Sequence, residues 1–509
     1  MKFKYYIIIL LSVIMISSCE NALVEKPFSF TAPTQFFNTE DEVEAALYGA
    51  YNFFHYDWIG GFHILQMGDL GTDVGLTRPL AFYDVYQRWN MDNLTVDYRN
   101  AWLQRYQGIS SVNLVISRVE NSDFSDAFKN EIIAEAKFIR AYFYNQLYLM
   151  YGGVPLWTNE LTDLDKVANL PRSSAEEVFA QIIMDLEFAE EFLPSTREAN
   201  ERGRVTKWAA KGLMARVYLF DDQWKNAKDK AEEIINESPH TLISDLQELF
   251  DFKNRFNSEL IHVINKETDI KGSKVHSFSS PRGRDENGKL LDITTNGVIR
   301  PDGIVVKTTN ELFQGWGVYQ AVKEHYDSFE SGDRRKSLWW HELKREDGTV
   351  TVMDGGTSGS GGYYNLKWLA FDEEANNGSR DVHMQRLAEL YLISAEAENE
   401  LNGPTVAAYS RINEIRRRAF GDTEHDLSGL SKDEFRNAII RENRWELGGE
   451  GHRRWYLIHW GWEVLNAAVQ SVAVSNPIGA SNIKPHHMLF KISDEEIIVN
   501  PNIEQNPGY

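Results

Sequence analysis

The sequence predicts a mainly α-helical chain, with helical hairpins forming a scaffold that is interrupted by one large loop-rich insertion. Three observations carry that prediction. Apolar residues recur at spacings of three and four in several segments, which places them along one stripe of a helix. Some of these segments form close-set pairs joined by short turns. Between about residues 251 and 379 the helical periodicity fades, while glycines and aromatic residues accumulate.

The 509-residue chain opens on a short basic start, Met1 to Lys4, followed by an almost purely apolar run from Tyr5 to Ile16. That run is shorter than the about 20 residues a spanning helix needs. A basic start followed by an apolar stretch of about 7–15 residues reads as an export signal. Small residues then lead into the single cysteine, as Ile16-Ser17-Ser18-Cys19. This resembles a bacterial lipobox, which implies a signal peptide over 1–18 and diacylglyceryl attachment at Cys19. Stable attachment takes more than one acyl chain, each buried methylene contributing about 0.8 kcal/mol. The competing reading is an ordinary cleaved signal with an incidental cysteine. A lone cysteine allows no intramolecular disulfide and no Cys-based zinc site. Residues 19–35 are polar, with Pro27 and Pro33 as breakers, and are predicted to form a tether. No later segment has the length and hydropathy to span a bilayer.

Residues 36–509 are predicted to form one domain: helical scaffold over 36–250 and 380–475, the insertion over 251–379, and a C-terminal segment over 476–509. Ile132, Ala136, Ile139, Phe143 and Leu147 make one apolar stripe. Ala210, Leu213, Val217 and Phe220 make a second, and Ala408, Ile412, Ile415 and Ala419 a third. The helix around Leu213 is followed by Asp221-Asp222-Gln223 and then a second run from Trp224. The helix from Leu390 is followed by Asn402-Gly403-Pro404 and then the stripe from Ala408. These pairs resemble degenerate tetratricopeptide hairpins. In the insertion, Gly303, Gly315, Gly317, Gly332 and the tract Gly355 to Gly362 stand among Trp316, Tyr319, Trp339, Trp340, Tyr363, Tyr364 and Trp368. A long irregular segment in a compact domain is usually functional or disordered, and aromatic residues argue against disorder.

Charge and motifs exclude several functions. Lys and Arg number 53 against 75 Asp and Glu, a net charge of −22, which repels phosphate backbones and makes nucleic acid a poor partner. No His-Glu-x-x-His occurs, and His486-His487 after Pro485 reads as a surface pair, so no metal site is expected. No Gly-Lys-Ser/Thr follows the glycine tract, no Gly-x-Ser-x-Gly occurs, and no cofactor is implied. Glu442 and Glu446 are the best catalytic carboxylate pair, on one stripe with Phe435 and Ile439. Arg441, Arg444, Arg453 and Arg454 lie nearby in sequence, and a helix-terminal ion-pair network is the expected role. A glycosidase needs two carboxyls at a set separation across a sugar, which sequence spacing alone does not supply.

Four stretches together resemble the SusD/RagB family of nutrient-uptake lipoproteins. They are Arg140-Ala141-Tyr142-Phe143-Tyr144 leading into Tyr151-Gly152-Gly153-Val154-Pro155-Leu156, the run from Ala209 to Leu219, the run from Arg386 to Ala397 with Ile412 to Arg416 after it, and Glu446 to Arg453. The close on Gln505 to Tyr509 is also an ending this family favours. The chain departs from the family at Glu442-Asn443, where Glu-Arg is usual, and at Tyr456-Leu457 and His459-Trp460. The resemblance implies a protein anchored by lipid to the outer membrane and exposed at the cell surface. It also implies binding of an oligosaccharide or polysaccharide, delivery to a SusC-like TonB-dependent transporter as partner, and no enzymatic activity. The competing functions are a surface glycan hydrolase, and a scaffold for non-sugar nutrient binding or adhesion.

Sugar binding calls for exposed aromatic rings against the apolar faces of pyranoses, with Asp, Asn and Arg for the hydroxyls. Two regions combine these residues, and related proteins place ligand residues in comparable ones. In Asp73 to Asn93, Trp89 is the expected platform, Asp73, Arg78 and Asn93 the hydroxyl partners, and Tyr83 a secondary contact. In the insertion, Trp316 is the expected platform and Tyr319 secondary. For each aromatic the competing role is the core, since most Trp are largely buried.

Overall fold

A computed structural model describes residues 36–77, 84–91, 96–161, 163–251, 253–281, 297–301, 303–307, 315–353, 362–369 and 376–509. Cys19 and the expected tether lie outside them. The chain divides into two units, Met1–Ala46 and Leu47–Tyr509. In the first, a helix start is capped reciprocally: the Glu42 N–H donates to the Thr39 hydroxyl at 3.2 Å, and the Thr39 N–H donates to the Glu42 carboxylate at 3.3 Å.

The second unit is mainly helical, as the sequence predicts. Its long helices are α1 (Val96–Glu120), α2 (Asp126–Tyr151), α3 (Ala175–Phe192), α4 (Lys207–Phe220), α5 (Trp224–Glu237), α6 (Leu387–Asn402), α7 (Val406–Phe420) and α8 (Lys432–Leu447). They stack in chain order from α1 to α7, each packed on the next, and α8 packs on α6. The α2 stripe of Ile132, Ala136, Ile139, Phe143 and Leu147 is wholly buried; each large apolar side chain there contributes about 1.5–3 kcal/mol. Local signals set the ends. Ser174 and Ser431 open α3 and α8 with reciprocal capping boxes to Glu177 and Glu434, and Gly403 closes α6 at a φ of 81°. Buried ion pairs pin the layers together. Arg140 on α2 makes two 2.7 Å bonds to Asp185 on α3 and a third to Asn113 on α1. Arg216 on α4 holds Glu389 on α6.

Between α5 and α6 the chain leaves the stack. The strand β2 (Leu260–Ile264) pairs antiparallel with β10 (Val382–Arg386), so the outgoing and returning strands lie side by side. In between run β3 (Val298–Ile299), β4 (Val305–Val306), β5 (Tyr319–Ala321), β6 (Trp339–Trp340), β7 (Glu342–Arg345), β8 (Val350–Val352) and β9 (Tyr364–Asn365). One sheet has the order β4-β3-β7-β8, and β6 pairs with β9. This region has its own core of Val298, Val306, Trp340, Leu343, Met353, Tyr364 and Leu369. Most of the aromatics that accumulate here therefore fill the interior: Trp339, Trp340, Tyr363, Tyr364 and Trp368 are all buried. An earlier strand, β1 (Gly75–Thr77), pairs with β5, bringing the segment after Asp73 against the one after Trp316. No described helix is long and apolar enough to cross a membrane.

Candidate functional site

Of the seven aromatics singled out in the insertion, Trp316 alone is partly exposed. Its backbone runs along the short helix Val275–Ser279 and its end. The Trp316 N–H donates to Ser277 O at 2.6 Å, Gly317 to Ser280 O at 2.9 Å and Val318 to Phe278 O at 3.2 Å. Gly315 permits this approach, because a Cβ there would stand 2.2 Å from the Ser280 carbonyl oxygen. The indole is held on edge by Phe62 at 5.4 Å and by Phe278 at 6.5 Å. Beneath it Phe62 leans on His63, which stacks on Trp58 with ring centres 3.7 Å apart. Burial drives the His63 imidazole down to about 4, so at neutral pH the whole bed is uncharged rings. The same segments carry a partly exposed ion pair, Lys274 to Asp57 at 2.7 Å. Sequence reasoning missed Trp58, Phe62 and His63. The available signal was an aromatic-rich run broken by Gly60-Gly61, where helical spacing lapses.

The other expected ligand residues with described positions lie inside the protein. Trp89 is 1% exposed. Its indole N–H donates to Gly71 O at 2.9 Å, and the Arg454 guanidinium sits 4.0 Å from its ring centre. A desolvated cation–π contact of this kind contributes about 2 kcal/mol, so Trp89 is a packing residue and not a platform. Asp73 is corrected in the same way. It is buried and takes two 2.9 Å bonds from Arg453, with Arg444 close by. Burial raises its pKa, but the two guanidiniums hold the carboxyl well below the usual range, and its burial keeps it from a sugar hydroxyl. Tyr319 is wholly buried, stacks on Phe278 and donates its hydroxyl to Asp69 at 3.3 Å. Arg78, Tyr83 and Asn93 lie outside the described residues. Thr77, the residue before Arg78, pairs with Tyr319 across β1 and β5.

Glu442 and Glu446 form no catalytic pair. Glu446 accepts from Arg386 at 2.5 Å, Arg418 at 2.5 Å and Arg335 at 3.2 Å. Glu442 accepts from Arg335 at 2.6 Å and Arg416 at 2.9 Å. Burial alone would raise the Glu446 pKa, but Arg418, Arg386 and Arg335 together hold it well below the carboxylate range. Glu259 and Glu450 complete the hub, each bonded to Arg386. Every carboxylate in it is spent on a guanidinium, and the hub fixes the base of the insertion to α7 and α8. Among the described residues no group of three or more His, Cys, Asp and Glu is disposed to hold a metal ion.

Comparison with known proteins decides the family. A profile described as "Starch-binding associating with outer membrane" matches residues 70–219, and one described as "SusD family" matches 312–509. "SusD-like protein P25" of Formosa agariphila is 30% identical, over 100% of each chain. The chain belongs to the SusD/RagB family. Among solved structures, a SusD homolog from Bacteroides thetaiotaomicron superposes with a TM-score of 0.78 at 22% identity, over 94% of this chain and 98% of that one. A laminarin-binding SusD-like protein gives 0.74 at 22% identity, over 92% and 99%. These two likenesses establish the shared fold. SusD/RagB membership carries a binding role and no enzymatic one. It also associates the chain with the outer membrane.

Proposed function

We propose that this SusD/RagB protein binds an oligosaccharide or polysaccharide outside the cell through a site centred on Trp316, and hands it to a SusC-like TonB-dependent transporter. The observation that carries the reading is the partly exposed Trp316 ring, braced by Phe62 and Phe278 and sitting in the segment paired with the strand that leads to Arg78. A flat, immobilised indole removes the apolar face of a sugar from water at little ordering cost. Arg78, Tyr83 and Asn93 stay in the proposal as neighbouring contacts. Starch and laminarin, which name the matched profile and one structural relative, are the first probes. Trp316→Ala should weaken binding of the retained glycan by roughly thirty-fold in calorimetry, an aromatic anchor being worth about 2 kcal/mol, while its melting temperature stays close to the parent's. Normal folding with parental affinity would remove Trp316 from the site.

The lipobox supports anchoring at Cys19, and the family supports the transporter as partner. In cell membranes the parent chain should enter the detergent phase and co-extract with a large β-barrel, and Cys19→Ala should do neither. Equal partitioning of the two would exclude the anchor. Recovery of the anchored chain alone, in a detergent that preserves such complexes, would count against the partner.

A further inference from the structure

We propose a second saccharide-binding site in a cleft beside the outer edge of β2, sharing no residue with the bed of Trp316. The larger lobe of the cleft, about 410 Å³, falls within the roughly 300–1,000 Å³ of ligand sites, and it continues across Gly203 and Arg204 into a smaller lobe of about 230 Å³. Two aromatic rings stand at it unusually exposed: Tyr48 at 46% and Phe256 at 41%. Each has a guanidinium beside it, Arg204 at 5.8 Å from the Tyr48 ring centre and Arg202 at 5.6 Å from that of Phe256. In the lining of the smaller lobe, the Oδ1 of Asn265 is buried with no hydrogen-bond partner. Gly203 packs directly on it, a Cβ there standing only 2.7 Å away, so the oxygen lies just beneath the surface of the lobe. A buried acceptor left unmet is costly, and a small shift of the Gly203 backbone would present it to a ligand hydroxyl.

The charges narrow the ligand. Arg197 and Arg204 are already matched by Glu131, Glu135 and Glu201 at 2.5 Å or more, so the lining offers a phosphate or carboxylate little net attraction. Exposed ring faces, an amide oxygen beneath the surface and arginines of which Arg197 and Arg204 are already ion-paired suit a neutral pyranose chain, with Arg202 beside Phe256 as a donor to its hydroxyls. The inference rests on the glycan reading above for its ligand class. Two sites on one body would raise avidity for a long polysaccharide beyond that for a short oligomer.

The test is electrophoresis of the full chain through gels containing starch, laminarin, xylan, galactomannan or pectin, followed by calorimetry with a short oligosaccharide of whichever glycan retards it. The parent should bind two oligomers. Trp316→Ala and the double variant Tyr48→Ala/Phe256→Ala should each bind one, with polysaccharide retardation weakened about five-fold or more in both. Exposed rings leave the fold intact when truncated, and melting curves check this. Arg202→Ala, on the same wall, serves if the double variant melts early and should show the same direction of loss. One bound oligomer in the parent, lost with Trp316→Ala and unchanged in Tyr48→Ala/Phe256→Ala, overturns the cleft and leaves the function standing. Failure of every polysaccharide to retard the parent overturns the function and the cleft with it.

Discussion

At the scale of single residues, the molecule separates two kinds of tryptophan and two kinds of carboxylate by their partners. Trp89 and Trp316 each stand three residues from a tyrosine in sequence, Tyr86 and Tyr319. What distinguishes them is Arg454 and Gly71 around the first and Phe62 and Phe278 around the second, and most of these contacts are distant along the chain. The same distance hid the fate of Asp73, whose partner is Arg453. The carboxylates of α8 were more legible, because arginines crowd that stretch and buried carboxylates need partners. Glu446→Gln tests the hub. It leaves Arg386 and Arg418 short of a counter-charge in the interior, and removing one member of a buried ionic group costs about 3–5 kcal/mol. Urea denaturation should show a loss of that order with little change in glycan binding at Trp316. A loss under 1 kcal/mol would mean that water or a neighbour compensates the arginines.

At the scale of elements, the scaffold was readable because each long helix keeps one apolar stripe for three or more turns. That pattern survives sequence drift and needs no knowledge of distant partners. The insertion was not readable in the same way. Its strands run from two to five residues, too short for alternation to declare itself, so packed sheet looked like loop and core aromatics looked like available ligand contacts. Helix ends are a further legible feature. Ser431 accepts the Glu434 N–H at 3.3 Å while Glu434 accepts the Ser431 N–H at 2.8 Å. Ser431→Ala should lower stability by about 1 kcal/mol, seen as a shifted denaturation midpoint with an unchanged slope. No shift at all would mean that α8 is held by its buried face alone.

At the scale of the whole molecule, pH dependence follows from histidines sealed in the core. Burial takes His262 and His383 down to about 3 and His63 to about 4. The unfolded chain protonates all three near pH 6.5 and the folded chain does not, so stability falls as pH drops below that value. Asp69 works the other way. Burial pushes it up to about 7 against the hydrogen bonds from Gly451, Arg453 and Tyr319, so between about pH 4 and 7 the folded chain keeps one proton that the unfolded chain has lost. These three protons against one leave a loss on the order of 2–3 kcal/mol per pH unit between about pH 6 and 4, and His325 and His452, whose pKa values burial also lowers, steepen it. Denaturation midpoints taken at half-unit steps over that range should decline steadily. A flat profile would mean that these histidines are already charged in the folded state.

The ionic hub also governs how a new chain comes to rest. Glu259 is synthesised well before Arg386 and Arg418, and Glu446 and Glu450 come later still. Until that last stretch arrives, Arg386 and Arg418 have only Glu259 to oppose them in the hub, and desolvating them is unfavourable. The full set of pairs can form only once Glu446 and Glu450 have left the ribosome, which places closure of this seam late in synthesis. A chain ending between Phe420 and Glu446 keeps the helices α1 to α7 but lacks Glu446 and Glu450, so the insertion that carries Trp316 should be open to proteases.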